Sequence, residues 1–597
     1  MTIHPTVLVL RFFQSNWSLV VVLSLIAVHV ALLIHGASIH FPNIDEIAHL
    51  PSGVSHWQFE RFDLYRVNPP LVRLVAGFPA WIVGVEYDWG YYVDDVGLRP
   101  EFVIGNDRVR RIGLGSVNDF YFPRLFCLVF TLLGMIVLVF WVRTTLGIAS
   151  CVLTAAYWCN CPNMLAHAQT IVPDVGCLSA GVLACYLCWR YFLKPSIVSA
   201  SFAGIGLGIA LLTKLTWVTG FLSLPLAIVL SCLFFHRQQQ IRSLYHRALD
   251  GCLFVVIALL VLNAGYLFEG FGKKLGEYEF CSEMLGGPGT SSKNTGNRFE
   301  ESWLKQVPVP VPKNFLLGID FLRQEVEEKK WSFLLGEWKQ GSWPHYYVVT
   351  TLLKTPEGML IGAFLGGICW LVLLVRQRLS IRVGSMMFML VVPAVAVFLS
   401  VSLQGGFNHH HRYVLNIYPP MYVLAAFLVS DPISQFLADR FAPIYRQCIL
   451  MIGIALCALS AGSSLCTTPH FLSYFNLISG GSQNGWRMLG YSNVDWGQDL
   501  LLVHDWIEAH RECKPICVEC VNGQIAFTTA DWGSVPQVPE GASWRHLQRD
   551  QDQWYVICVN RLNHPPASRS WSYLKELKPV DRIGFSHHVY FIPARKE

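Results

Sequence analysis

The sequence predicts a polytopic α-helical membrane protein with about eleven transmembrane helices and a C-terminal extracytoplasmic α/β domain. Three observations predict it. First, of 597 residues 53% are apolar and only 14% charged, where a soluble domain carries roughly 25% charged residues; mean hydropathy is +0.40. Second, the charges are segregated. Residues 12–44, 144–173, 215–236, 251–268, 358–375, 383–411, 413–430 and 447–486 contain no Asp, Glu, Lys or Arg, and a bilayer span needs about 20 apolar residues in succession. Third, Lys and Arg crowd into alternate loops. This composition excludes a soluble enzyme, a disordered chain and a collagen-like chain. The net charge of +5 forms no basic stripe, so no nucleic-acid partner is expected.

The first apolar run begins near Trp17 and is followed by Phe41-Pro42-Asn43-Ile44-Asp45-Glu46, with no small-residue cleavage site. It therefore reads as a retained helix, not a removed signal peptide. Helices are predicted over 17–37, 123–142, 147–163, 171–190, 197–213, 216–235, 250–268, 356–375, 383–403, 413–430 and 448–467. Arg11, Arg143, Arg190, Lys194, Arg237, Arg242, Arg247, Arg376, Arg378, Arg382, Arg440 and Arg446 then share one side, against Lys214 and Arg412 in the short loops of the other. The excess of positive charge in cytoplasmic loops puts the N-terminus inside and the C-terminal domain outside.

Three long segments fall outside: 38–122, 269–355 and 468–597. The domains expected are 1–467, the transmembrane catalytic part, and 468–597. In the latter, Gly497–Arg511 reads as a helix, and Ile516–Val521, Trp554–Val559 and Val589–Ile592 as strands. The 269–355 loop, with Gly286-Gly287-Pro288-Gly289 and Val307-Pro308-Val309-Pro310, reads as a structure-poor segment covering a site. Thirteen of the eighteen cysteines lie in or beside spans, as small packing residues. Cys513, Cys517 and Cys520, with Cys558, leave zinc, a disulfide or free thiols open. Trp486, Trp496, Trp532, Trp544, Trp554 and Trp571 are core residues or sugar-stacking surfaces.

Asn43-Ile44-Asp45-Glu46-Ile47-Ala48-His49 carries the chemistry. In a helix over 45–60, Asp45, His49, Ser52 and His56 share one face at about 100° per residue. Asp45, Glu46 and His49 are thus candidates for a divalent ion (Mg, Mn or Zn), with Asp45 alternatively a base toward a hydroxyl. A plain helix start, with Asn as cap and acids in the first turn, explains the same residues.

The Asp45-Glu46 pair after the first span, the Asn68-Pro69-Pro70-Leu71 segment, His167 to Asp174, Lys354-Thr355-Pro356, Arg412 to Pro419 and Tyr491 to Leu500 together resemble glycosyltransferase family 39. These are the protein O-mannosyltransferase and aminoarabinose-transferase relatives of GT-C fold, which use lipid-phosphate sugars. The Tyr491 segment resembles bacterial members, which implies the bacterial cytoplasmic (inner) membrane and a cell-envelope role. Many relatives carry Lys where this chain has Asn68.

The resemblance implies transfer of a monosaccharide from a polyprenyl-phosphate donor to a hydroxyl acceptor (protein, lipid or glycan) on the outer face, with inversion. Asp45 is then the catalytic base and Glu46 its orienting partner. Arg124, Lys214, Lys354, His411 and Arg412 are donor-phosphate candidates, and His49, Asp174 and Tyr413 complete the site. The competing classes are a lipid or sugar transporter without covalent transfer, against which no inverted repeat is visible, and a non-catalytic scaffold.

Overall fold

The computed structural model describes residues 16–235, 244–521, 532–537, 543–547, 551–563, 565 and 570–595. Arg11, Arg237 and Arg242, and the side chains of Arg247 and Trp532, lie outside the described residues.

A helical bundle forms the body of the protein. Among the described residues, eight helical stretches are long and apolar enough to cross a membrane, including Trp17–Ile39, Pro173–Leu193, Trp217–Phe235, Glu357–Val375, Ile381–Leu403 and Pro443–Leu465. Shorter apolar helices, Ile148–Asn160, Ile197–Leu211 and Leu249–Ala264, occupy three other predicted positions. Where 147–163 was expected as one helix, Cys161 turns to extended backbone (ψ 121°) and a second helix, Pro162–Ala168, begins. Proline disfavours the helical region for the residue before it, which fixes the break there. The bundle core is built around Trp141, Trp158, Met164 and Met386. Its outer surface exposes Leu222, Leu233, Phe364 and Val375, a belt of large apolar side chains suited to lipid and costly in water.

One end of the bundle is roofed by the segments after the first span. Asn43 caps the Ile44–Phe59 helix, accepting from the Asp45 and Glu46 amides, and Glu46 returns the contact to the Asn43 amide. This reciprocal box satisfies donors that every helix start leaves unpaired. The helix packs against Leu71–Ile82 through Gly53 and Gly77; a Cβ on Gly77 would lie 2.3 Å from the Gly53 carbonyl carbon. Only glycine permits that approach, so this pair holds the Asp45 helix against the bundle.

The 269–355 segment is not structure-poor. It contains a helix, Lys313–Glu327, an antiparallel hairpin of strands Trp331–Leu334 and Glu337–Gln340, and a helix Tyr346–Lys354. The α/β prediction for the C-terminal part agrees with a five-stranded mixed sheet. Ile516–Glu519 pairs in parallel with Trp532–Gly533 and with Gln553–Cys558, which pairs antiparallel with His587–Ile592, itself antiparallel to Asp581–Ile583. The predicted helix is Leu500–Ala509. No disulfide forms among the described residues, and the Cys513–Cys520 spacing gathers no three-ligand cluster there. Residues 469–499 lie along the bundle: Lys354 Nζ donates to the Leu472 and Asn493 carbonyls at 2.7 and 2.8 Å. These contacts join residues 469–499 to the bundle.

Candidate active site

Four distant segments meet at the roofed end. Asp45 sits in the first turn of its helix. Asp174 follows Pro173 at the start of the Pro173–Leu193 helix, where the helix dipole favours a carboxylate. Lys214 lies in the turn between Ile197–Leu211 and Trp217–Phe235, and Arg412 in the 3₁₀ turn His411–Ile417. Arg412 Nη2 donates to Asp45 Oδ2 at 2.6 Å, and Nη1 to Asp174 Oδ2 at 3.3 Å. Lys214 Nζ donates to Asp174 Oδ1 at 2.5 Å. The chain of charge runs Asp45–Arg412–Asp174–Lys214. The Trp496 indole covers the Arg412 guanidinium at 4.0 Å, and Lys214 Nζ stands 4.8 Å from the centre of the Tyr413 ring.

All four charged groups line a cavity of about 290 Å³, with Asn68 and Tyr413 also in its wall. The side chain of Asp45 is 19% exposed, and its Oδ1 accepts no hydrogen bond among the described residues. A larger hollow, about 380 Å³, lies at the other end of the bundle, lined by Leu428, Leu437 and Ile449 with Asp431 and Arg446. It lacks a comparable convergence of charge.

Other predicted site residues are placed elsewhere. Glu46 is sealed in the interior. Its Oε1 accepts from Arg124 Nε at 2.8 Å and the Ile171 amide at 2.9 Å. Its Oε2 accepts from Arg124 Nη2 at 2.7 Å, the Asn43 amide at 3.0 Å and Asn43 Nδ2 at 2.8 Å. A carboxylate has about four lone-pair positions, so Glu46 has none left for a proton or a metal. Arg124 spends its remaining donors on the Ala37, His40 and Phe41 carbonyls at 3.0, 2.7 and 3.2 Å, which closes the end of the first span. Lys354 is bound to carbonyls, as above. His411 bridges Thr350 Oγ1 at 3.0 Å and the Tyr418 hydroxyl at 2.8 Å, behind the cavity wall.

His49 stacks on Tyr65 at 4.0 Å, and neither of its ring nitrogens has a hydrogen-bond partner among the described residues. Burial, with Arg73 nearby, holds it well below the ordinary histidine range. Asp45, Glu46 and His49 do not bring ligand atoms together. Asp45 and His49 share a face, but Glu46 is rotated about 100° away toward Arg124. The divalent ion expected there does not fit these residues.

The histidine run contributes two members rather than the expected His411. His409 and His410 line the cavity. His409 stacks on Tyr491 at 4.0 Å and bonds the Trp331 carbonyl at 2.7 Å. Burial pushes its pKa down to about 4. His410 Nδ1 meets Ser492 Oγ at 2.5 Å; burial, and Arg412 beside it, hold it well below its usual value.

Sequence reading missed Tyr65, Arg99, Glu325 and Lys330, which complete the wall. Arg99 joins Glu101 at 2.8 Å and Glu325 at 3.3 Å and stacks over Tyr65 at 4.8 Å. Its only sequence signal is a cation ahead of Pro100 in the long segment after the first span.

No family model matches the chain, and no curated protein matches it. Among solved structures it is similar to ArnT from Cupriavidus metallidurans bound to undecaprenyl phosphate, at 12% identity over 97% of this chain and 98% of that one, with a TM-score of 0.42. It is also similar to the oligosaccharyltransferase AglB from Archaeoglobus fulgidus in complex with an inhibitory peptide and a dolichol-phosphate. There the identity is 13% over 76% of this chain and 56% of that one, with a TM-score of 0.43.

Proposed function

We propose that this chain is a GT-C-like membrane glycosyltransferase that moves a monosaccharide from a polyprenyl-phosphate donor to a hydroxyl acceptor on the outer face. The observation that carries the proposal is the Asp45–Arg412–Asp174–Lys214 chain in the wall of a cavity at one end of an apolar bundle. Acids and cations at membrane depth are costly and tend to mark function.

In this reading Asp45 accepts the acceptor's proton on Oδ1, while Arg412 holds Oδ2. The acceptor oxygen attacks the anomeric carbon as the bond to the donor phosphate breaks. One displacement inverts the configuration. The leaving phosphate carries away the electron pair, and Arg412 and Lys214 offset its charge. Both cations are preorganised by Asp174, so little reorganisation is needed as charge develops. Asn68, in the same wall, supplies an amide where a lysine would supply a charge, leaving the neutralisation to Arg412 and Lys214. Glu46 and Arg124 hold the fold at the end of the first span and take no part in the transfer itself.

The test is transfer from a radiolabelled polyprenyl-phosphate sugar in membranes containing the Asp45→Asn protein. Loss of product with an unchanged chromatographic profile is expected; near-normal turnover overturns Asp45 as base. Mass spectrometry of glycans and lipids from cells with and without the chain names the acceptor. Donor movement across liposomes without a covalent product would instead favour a transporter.

A further inference from the structure

We propose that His40, His470 and Asp499 form a zinc-class metal site that clamps the C-terminal part to the helical bundle. This site is separate from the cavity of the Asp45 network and does not rest on the transferase reading. His40 lies just past the first span, His470 just past the last helix of the bundle (Pro443–Leu465), and Asp499 immediately before the Leu500–Ala509 helix.

The donor atoms converge. His470 Nδ1 stands 3.4 Å from Asp499 Oδ1, and His40 Nε2 stands 3.9 Å from the same oxygen. One ligand atom from each residue lies within 4.8 Å of the others. Zinc binds histidine nitrogen and carboxylate oxygen at about 2.0–2.2 Å in tetrahedral geometry, so its ligand atoms sit ~3.4 Å apart. Two of the observed spacings are that figure or about half an ångström wider, the third is at most 4.8 Å, and a side-chain closure on the ion would bring all three into range. Two imidazoles and one carboxylate suit a borderline divalent ion, with a fourth position for water.

The surroundings are those of a prepared site. Asp499 is fully buried, and none of the three converging atoms makes a well-aligned hydrogen bond among the described residues. A buried acceptor left so costs stability unless something satisfies it. The other carboxylate oxygen of Asp499 is oriented by the Ser586 hydroxyl and by Gln498 Nε2, the kind of outer bond that steers a metal ligand. The His40 carbonyl is held by Arg124. Gly584, at φ +57°, lies over the pair; a Cβ there would come 3.1 Å from His470 Nδ1 and 3.4 Å from Asp499 Oδ2. A small cavity of about 20 Å³, lined in part by His40 and His470, opens alongside.

The test is elemental analysis of the full chain, purified in detergent through a tag without histidine and washed free of loose metal. About one zinc per chain is expected. His470→Gln and Asp499→Asn should each drop it at least fivefold while the proteins remain monodisperse. Chelation should lower the Tm of the parent protein and leave the variants unmoved. Cobalt loaded in place of zinc should give a tetrahedral visible spectrum in the parent, lost in His40→Gln, which reports the site even if one variant is poorly folded. Absence of stoichiometric metal, or equal metal in parent and variants, overturns the proposal.

Discussion

Two acid–arginine pairs begin one residue apart and meet opposite fates. Asp45 and Glu46 are neighbours in one helical turn, yet Asp45 turns to the cavity and Arg412, and Glu46 to the interior and Arg124. Glu46 is enclosed by five donors; Asp45 keeps one oxygen without a hydrogen bond among the described residues. An acid doublet is thus two devices. The carboxylate with every lone pair occupied is architecture, and the one held on a single side can exchange a proton.

The contrast breaks most decisively at Asp45. Asp45→Asn should lower turnover by about 10²–10⁴-fold, the usual range for removing a general base, with little change in thermal midpoint. Glu46→Ala should do the reverse. Breaking a buried pair and stranding Arg124 costs about 3–5 kcal/mol, read as lost expression or a lower Tm, with turnover per folded molecule largely kept. If Glu46→Ala folds normally but is inactive, the division of labour is wrong. Arg412→Lys sharpens the comparison at intermediate size. Lysine keeps the charge but cannot reach both Asp45 and Asp174 with a planar fork, so a fall in kcat of tens-fold is expected with modest loss of stability.

The smallest effect concerns His409, whose folded pKa of about 4 lies below the ordinary 6.5. Between those values the unfolded chain binds the proton and the folded one does not. Stability associated with neutral His409 is therefore present above about pH 6.5, declines as pH falls, and levels off below about 4. Thermal midpoints across that window should fall less steeply in His409→Gln than in the parent.

The helices and the Asp45 face were legible because each follows from a local rule: charge-free length for spans, the 3.6-residue repeat for the face. Arg412, Asp174 and Lys214 were legible as rare charges at the ends of apolar runs. What was not legible depended on contacts across the chain. Arg124 resembles a phosphate ligand until the carbonyls of residues 37, 40 and 41 are seen to occupy it. His411 looks equivalent to His409 and His410, but those two lie ahead of the turn that begins at His411, His410 in extended backbone, where successive side chains point in different directions, and only His409 and His410 reach the cavity. Arg99 and Lys330 sit in segments without apolar periodicity, so nothing local marks them. Residues 469–499 read as the start of a separate domain, because a wall built on someone else's core carries no periodicity of its own.

That wall has a consequence for biosynthesis. Trp496 stacks on Arg412 from a stretch translated after the whole bundle, and chains fold in the order they emerge. The cavity end is therefore completed after the bundle. A nascent chain stalled before residue 469 would hold its helices in the membrane while its central guanidinium still lacked one side, so the cavity wall is completed only once the segment carrying Trp496 has been made.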